Sequence, residues 1–267
     1  MSNPAELTTP ENLTDEAIAA FRANGFAHLP KVLTDEEVAE CLRDAEEWLS
    51  RGQKMAWDKT VDPSVVDGTV MEWVDNPESA VLRRLALHPR ITAIAEKLTG
   101  NKLRMFRSEI VRKPHDKSSV TPPHIDAPYW PWKSGADRGA YGASLTAWVA
   151  LTDVPVERGC MSFVPGSHIG PEPTTDDWDI FTTRPELAWQ PRIVVPLRAG
   201  GMTFHHERVV HMAGANLTQQ DRVSLGTVYI DADTVFDPEY GTAEEDLGVQ
   251  PGQRLDTERY PLVADFQ

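Results

Sequence analysis

The sequence predicts an α+β fold that is mainly β: a double-stranded β-helix, or distorted jelly roll, with N-terminal helices packed on one of its sheets. Apolar residues recur at helical spacing only within the first 100 residues. From residue 102 onwards the chain breaks into short β-branched and apolar runs between Pro- and Gly-rich turns. Helices first and strands after is the order of a layered α+β arrangement, not of alternating βαβ units. A chain of 267 residues lies within the range of one β-rich domain, and 40% hydrophobic with 25% charged residues supplies one core. A single domain over 1–267 is therefore expected, mainly helical over 1–100, with a β-core over 101–235 and a C-terminal tail over 236–267.

Residues 13–24 (LTDEAIAAFRAN) read as the first helix, with Thr14 as N-cap and Gly25 as stop. Thr34 begins TDEE, a capping box with acids in the first turn, and Val38, Cys41, Leu42, Ala45 and Leu49 make the buried stripe of a helix over 34–50. A third helix is expected over 77–99, interrupted at Pro89. Strands are expected at 104–113, 143–151, 161–164, 192–197, 201–205 and 222–230. Three connections are too long for simple turns: 52–74 with Trp57 and Trp73, 127–142 with Tyr129, Trp130, Trp132 and Tyr141, and 169–191 with Trp178, Phe181 and Trp189. They read as lids over an apolar substrate pocket, or as loops whose rings pack onto the barrel. The tail over 236–267 is placed across the same mouth.

The chemistry-bearing residues fall in two runs. PPHIDAPYW holds His124 and Asp126, and HHERVVHMAGANLTQQDRVSLGTVYI holds His211 and Arg222. Two imidazoles and one carboxylate are the set that binds a non-haem Fe(II) on one face and leaves the opposite positions open. Residues two apart on an extended segment point to one side, so His124 and Asp126 reach one ion while Ile125 turns away. His211 must then come from another strand, and the polar turn over 216–221 returns Arg222 towards the metal. The planar Arg fork takes a carboxylate in two parallel charge-assisted bonds, which suits a dicarboxylate cosubstrate. Ser224, two residues on and on the same face, can add a bond. Each part alone is weak, because H-x-D recurs by chance and a lone histidine is more often a core or surface residue; their order and spacing carry the reading.

These residues resemble the phytanoyl-CoA dioxygenase family of Fe(II)- and 2-oxoglutarate-dependent oxygenases, from about residue 13 to about residue 231. LTDEAIAAFRANGFAHLPKVLTDEEV is similar to the family's opening helix, Gly-Phe strand and second helix. KPHDKSSVTPPHIDAPYWPW resembles its Lys-Pro strand and H-x-D region. LTAWVALTDVPVERGCMSFVPGSHIGP resembles its central strand and Pro-Gly-Ser-His corner, and GGMTFHHERVVHMAGAN with DRVSL resembles the distal-His and Arg region. The resemblance implies a cupin-like jelly roll in which His124, Asp126 and His211 bind Fe(II) and perform catalysis. It implies that Arg222 and Ser224 hold the distal carboxylate of 2-oxoglutarate, that Trp148 borders this cosubstrate, and that O2 is consumed. Ile125 stands where the family often has Gln, and Ala213 where it can have Ser. His205 and His206 compete with His211 as third ligand, but only His211 has the Arg partner at the family's spacing. Asp126 favours hydroxylation, epimerisation, desaturation or ring closure over halogenation, since related halogenases lack this carboxylate.

A formal charge of −15 and a pI near 4.9 argue against a nucleic-acid partner and mildly against a coenzyme A thioester. Only Cys41 and Cys160 are present, and no apolar run reads as a signal peptide or membrane span, so a cytoplasmic enzyme is expected. Cys160 reads as a small packing residue and His168 as a structural ring bonding a turn backbone. The reading is thus an oxygenase acting on an unactivated C–H bond of a small, largely apolar molecule, as in natural-product tailoring. An acyl-CoA hydroxylase, a non-catalytic jelly-roll sensor of metal or a small acid, and a zinc hydrolase remain as alternatives. The hydrolase lacks a recognisable glutamate base.

Overall fold

A computed structural model of the chain describes residues 6–51, 70–73, 80–115, 118–134, 144–174, 179–241 and 247–266. The first helix, α1 (Asp15–Asn24), begins where the Thr14 hydroxyl accepts the Ala17 N–H and ends at Gly25, whose φ of 80° is left-handed. Strand β1 (Phe26–Leu29) follows, then α2 (Asp35–Ser50), which starts in the expected capping box and buries Val38, Cys41, Ala45 and Leu49. After β2 (Val70–Trp73), the third helix departs from expectation. It is two helices, α3 (Ala80–Ala86) and α4 (Pro89–Thr99). Pro89 does not interrupt a helix but opens one: it occupies the first turn, where its missing N–H costs nothing, and His88 caps it through Nδ1.

The remaining strands are β3 (Leu103–Lys113), β4 (Thr121–His124), β5 (Ser144–Ala150), β6 (Met161–Phe163), β7 (Ile193–Val195), β8 (Met202–His206), β9 (His211–Ala213) and β10 (Arg222–Asp231), with a short α5 (Ile180–Thr183) between β6 and β7. They form two antiparallel sheets, a six-stranded one in the order β1-β8-β5-β10-β3-β2 and a four-stranded one in the order β4-β9-β6-β7. Two facing antiparallel sheets with helices on one outer face are the expected jelly roll.

Strand alternation divides the long central strand between two environments. Val223, Leu225 and Tyr229 of β10 join Ile110, Leu145 and Phe204 in the large core beneath the helices. Arg222, Ser224 and Gly226 alternate with them and face the interior between the sheets. That interior is closed on one side by Phe26 stacked on Phe163, with ring centroids 4.4 Å apart, and by Ala150, Val195 and Ala213.

The aromatic connections mostly obey the packing alternative. Trp130 and Trp132 are buried against Phe106, Val228, Tyr260 and Leu255, so they are core and not an open lid. Trp189 is 90% exposed and lines nothing, and Phe181 packs on a small cluster around Ile125 and Ile180. Trp57, Tyr141, Trp178 and the Trp73 side chain lie outside the described residues. The tail buttresses the aromatic turn: Tyr260 stacks on Phe106 at 5.4 Å, and Asp237 donates its N–H to the Pro131 carbonyl at 2.8 Å.

Glu37 ties α2 to α4. Its carboxylate accepts the Thr34 N–H at 2.7 Å and the Arg90 guanidinium at 3.0 Å, with the His88 ring 3.0 Å away. Burial pushes this carboxyl up, but Arg90, the Thr34 N–H and His88 outweigh that and bring it down to about 2. Its contribution is present above the ordinary value of 4.5 and is lost as pH falls towards about 2. Glu37→Ala is expected to lower unfolding stability by about 1–2 kcal/mol at neutral pH. In denaturant titrations run at decreasing pH, the gap between variant and wild type should close.

Candidate metal centre

The four-stranded sheet and the turn that follows β4 bring three potential ligands to one point. β4 pairs with β9 so that His124 lies directly opposite His211, with ring centroids 4.2 Å apart. Each ring is oriented by its other nitrogen, His124 Nδ1 with the Pro122 carbonyl at 2.8 Å and His211 Nδ1 with the Val209 carbonyl at 3.1 Å. This leaves both Nε2 atoms facing Asp126 Oδ1, at 3.8 Å from His124 and 3.5 Å from His211. One donor atom from each of His124, Asp126 and His211 falls within 4.8 Å of the others. Burial lowers both imidazoles to about 4 against the opposing charge of Asp126, with His211 adding to it at His124 and His205 at His211, so both are neutral at neutral pH, the form able to ligate a metal.

Asp126 reaches this point by a different route from the expected one. β4 ends at His124, and Asp126 has helical dihedrals (φ −79°, ψ −27°) at the head of a 3-10 turn over Ala127–Tyr129. Strand periodicity therefore does not extend to Asp126. Its placement comes from the Glu207 carbonyl, which accepts the N–H groups of Asp126 at 2.8 Å and Ala127 at 3.0 Å. Ile125 turns away into the cluster with Val164 and Ile180, as expected. Asp126 Oδ2 accepts the Thr146 hydroxyl at 2.9 Å and lies 3.5 Å from His205 Nε2, which leaves Oδ1 towards the two Nε2 atoms of His124 and His211. Burial alone would raise this carboxyl, yet His211, His205 and His124 hold it below the usual carboxylate range.

The competing histidines separate by strand face. His205 alternates inwards and stands behind Asp126, beside Oδ2 rather than Oδ1. His206 faces the other way, its ring 5.1 Å from that of His168, and His168 bonds the Arg22 carbonyl at 3.1 Å in the structural role expected of it. Cys160 is a buried thiol in the inner core.

Next to the cluster lies a cationic recess. Arg222 is buried at the start of β10, its Nη1 donating to the Gly159 carbonyl at 2.8 Å, its Nε without a partner and its Cζ 5.3 Å from the Trp148 ring centroid. Gly159 can bring that carbonyl in because its φ is +73° and its missing side chain leaves room for the Gly214 backbone, which a Cβ would meet at 2.3 Å. Across the strand pair from Arg222 is Lys113, fully buried, with Nζ donating to the carbonyls of Ser119 at 2.8 Å and Gly214 at 2.9 Å. No described carboxylate pairs with either cation. Burial lowers Arg222 to about 9, and burial with the charge of Arg222 lowers Lys113 to about 7. Ser224 is buried two residues along, its hydroxyl donating to the Val111 carbonyl at 3.1 Å.

Sequence reading passed over Thr146, Glu207 and any role for Lys113, and it saw His205 only as a rival ligand. Register places Thr146 between His205 and Val228 and Lys113 opposite Arg222, whereas Glu207 stands outside the strands and is marked by the hydrogen bonds it accepts. The sequence offered no recognisable glutamate base for a hydrolase; the fold brings Glu109 of β3 close enough to Asp126 for their charges to interact.

The donor set fits a non-haem iron, two neutral imidazoles and one ionised carboxylate on one side of an open position, and the two unpaired cations fit a dicarboxylate. Residues 21–224 match the phytanoyl-CoA dioxygenase (PhyH) family. Two solved structures are similar over almost the whole chain. One is the epimerase SnoN from nogalamycin biosynthesis, in complex with Fe3+, α-ketoglutarate and nogalamycin RO, at 40% identity over 93% of this chain and 98% of that one, with a TM-score of 0.81. The other is the non-haem α-ketoglutarate-dependent carbocyclase SnoK from the same biosynthesis, at 37% identity over 97% of this chain and 99% of that one, with a TM-score of 0.82. Among curated proteins, peroxisomal phytanoyl-CoA dioxygenase of Rattus norvegicus is 23% identical over 85% of this chain and 71% of its own length.

Thr146→Val keeps the shape of the side chain and removes the hydroxyl that holds Asp126 Oδ2. It is expected to weaken Fe(II) binding by about tenfold, the usual effect of losing a hydrogen bond to a metal ligand, in anaerobic metal titrations against wild type.

Proposed function

The chain belongs to the phytanoyl-CoA dioxygenase family of Fe(II)- and 2-oxoglutarate-dependent dioxygenases, and from that premise we propose that it oxidises an unactivated C–H bond of a small, largely apolar molecule in natural-product tailoring. The observation that carries the reading is the pairing of the His124, Asp126 and His211 cluster with two buried cations that have no carboxylate partner among the described residues. Burying cations without a counter-ion is costly, and a bound dicarboxylate would relieve that cost. In this reading His124, Asp126 and His211 hold the iron, Arg222 and Lys113 hold 2-oxoglutarate, Ser224 turns its hydroxyl to that carboxylate, and Trp148 walls the recess. The chemistry such an iron supplies is activation of O2 coupled to decarboxylation of 2-oxoglutarate to succinate.

The protein's share is orientation and dryness. Thr146 and the Glu207 carbonyl fix which oxygen Asp126 presents, the two backbone carbonyls fix the imidazole tautomers, and the packed Trp130 and Trp132 keep water from one flank. Asp126 occupies the ligand position that a halide would need, which leaves hydroxylation, epimerisation, desaturation or cyclisation. Likeness of 37–40% to an epimerase and a carbocyclase supports the tailoring reading over an acyl-CoA hydroxylase, where likeness is 23%. The net charge of −15 also suits a thioester poorly. Two free, buried cysteines and no described helix long and apolar enough to cross a membrane accord with work in the cytoplasm.

Anaerobic addition of Fe(II) and 2-oxoglutarate to metal-free protein should give a visible metal-to-cosubstrate charge-transfer band, and admission of O2 should give succinate. His211→Ala should lose both. Arg222→Lys keeps the charge but not the fork, and should raise the 2-oxoglutarate concentration needed for the band by about 100-fold. Folded protein that yields neither band nor succinate would overturn the reading and bring the sensor alternative forward.

A further inference from the structure

The inner face of the six-stranded sheet carries a carboxylate that the reading above does not use. Glu109 on β3 lies opposite Gly226 on β10, in the row that continues to Trp148 on β5. Alternation along β3 puts it on the same face as Val111 and Lys113, the face that holds the cationic recess. Its side chain lies across the bare backbone of Gly226: a Cβ there would be 3.4 Å from both Cγ and Oε1 of Glu109 and 3.8 Å from Cδ1 of Trp148. The glycine leaves its backbone bare between a carboxylate on one side and an indole on the other, with room for one added carbon at ordinary van der Waals contact.

Glu109 neither accepts a hydrogen bond from nor forms an ion pair with any described residue. Arg107, two residues back on the strand, has its guanidinium carbon 4.9 Å from the Phe106 ring centroid, and no ion pair joins it to Glu109. Burial, with the charge of Asp126 added, pushes the Glu109 carboxyl up to about 7, and the charge of Arg107 offsets that only in part. A position that served packing alone would be apolar, as Val111 and Val228 are on the same inner face. In the proposed enzyme the charges of 2-oxoglutarate are met by Arg222 and Lys113, and Asp126 is spent on the iron. Glu109 is left facing the substrate side with a charge met only in part.

We propose that Glu109 is a specificity-determining residue that recognises a protonated amine on an otherwise apolar, ring-containing substrate, with the amine N–H groups donating to its carboxylate and the amine seated over Gly226. This rests on the oxygenase reading of the preceding subsection. The amine completes the counter-charge that Arg107 supplies only in part, and it anchors the substrate in the Trp148–Gly226–Glu109 row, beside the ligand cluster rather than on it. A charge-assisted contact in a water-poor site is stronger and more selective than a neutral hydrogen bond at the same place.

The test uses two fluorescent probes with one ring system, anthracenylmethylamine and anthracenylmethanol, titrated anaerobically into protein loaded with Fe(II) and 2-oxoglutarate. Wild type is expected to bind the amine about tenfold more tightly than the alcohol. Glu109→Gln should abolish that preference while leaving affinity for the alcohol within about twofold, and Glu109→Asp, which keeps the charge, should retain the preference. Equal affinity of wild type for the two probes, absence of amine binding, or a preference that survives in Glu109→Gln overturns the proposal. Should Glu109→Gln fail to fold, the wild-type comparison and Glu109→Asp still decide it. The charge-transfer band of the same wild-type sample separates the two levels: a band without amine preference sinks this proposal alone, whereas no band sinks the reading beneath it.

Discussion

Glu207 is the residue through which the site is assembled. It follows β8 by one residue, and its carbonyl accepts two successive N–H groups from Asp126 and Ala127, setting the Asp126 carboxylate beside the two histidines from a turn that lies outside the strands. Its buried side chain accepts from Trp132 Nε1 at 3.1 Å, Ser134 Oγ at 2.6 Å and Ser144 Oγ at 2.5 Å. A buried carboxylate needs such donors to offset its desolvation. The same residue thus joins the β8 end, the aromatic turn after Asp126 and the start of β5. The position of Asp126 follows from a backbone contact across the barrel and from the packing of the turn that carries it.

The interior is charged in a way that only bound partners would balance. Asp126 is ionised among three imidazoles, Arg222 and Lys113 are buried with carbonyls as their only described hydrogen-bond partners, and Glu109 faces the same space without a described ion pair. Removing any of these charges would ease desolvation, and their retention points to function rather than stability. The helices on the opposite face of the sheet supply the compensating apolar burial, through Phe21, Leu33, Leu82, Ile91 and Ile94 among others. The long strands β3, β5 and β10 carry both tasks because each presents one face to the helical core and the other to the site.

Where local chemistry determines structure, the sequence was legible. Thr14, Gly25 and the Thr34–Glu37 capping box act within a few residues, and the helices they bound stand within about two residues of expectation, the usual scatter of helix ends. The β-branched run after Arg222 is a strand because such side chains suit a pleated surface wherever they fall. Pro89 was misjudged, since the same ring breaks a helix interior and suits a first turn, and only the kink at His88 distinguishes the two. The aromatic connections were harder still, because a tryptophan offers no local signal of whether it faces a pocket, a core or solvent. Trp132 is buried by a tail more than a hundred residues away, whereas Trp189 has nothing above it.

By itself the sequence determined the helix caps, the strand-rich second half, the ligand types and their order, because these rest on residue chemistry and short-range spacing. The tertiary structure alone decided that His211 lies beside Oδ1 of Asp126 and His205 beside Oδ2, that Lys113 stands beside Arg222, and that Glu109 lies over Gly226. Each of these depends on strand register between segments far apart in the chain, where a slip of one residue turns every side chain to the other face. Register is set by the packing of whole sheets and is not encoded in any one segment.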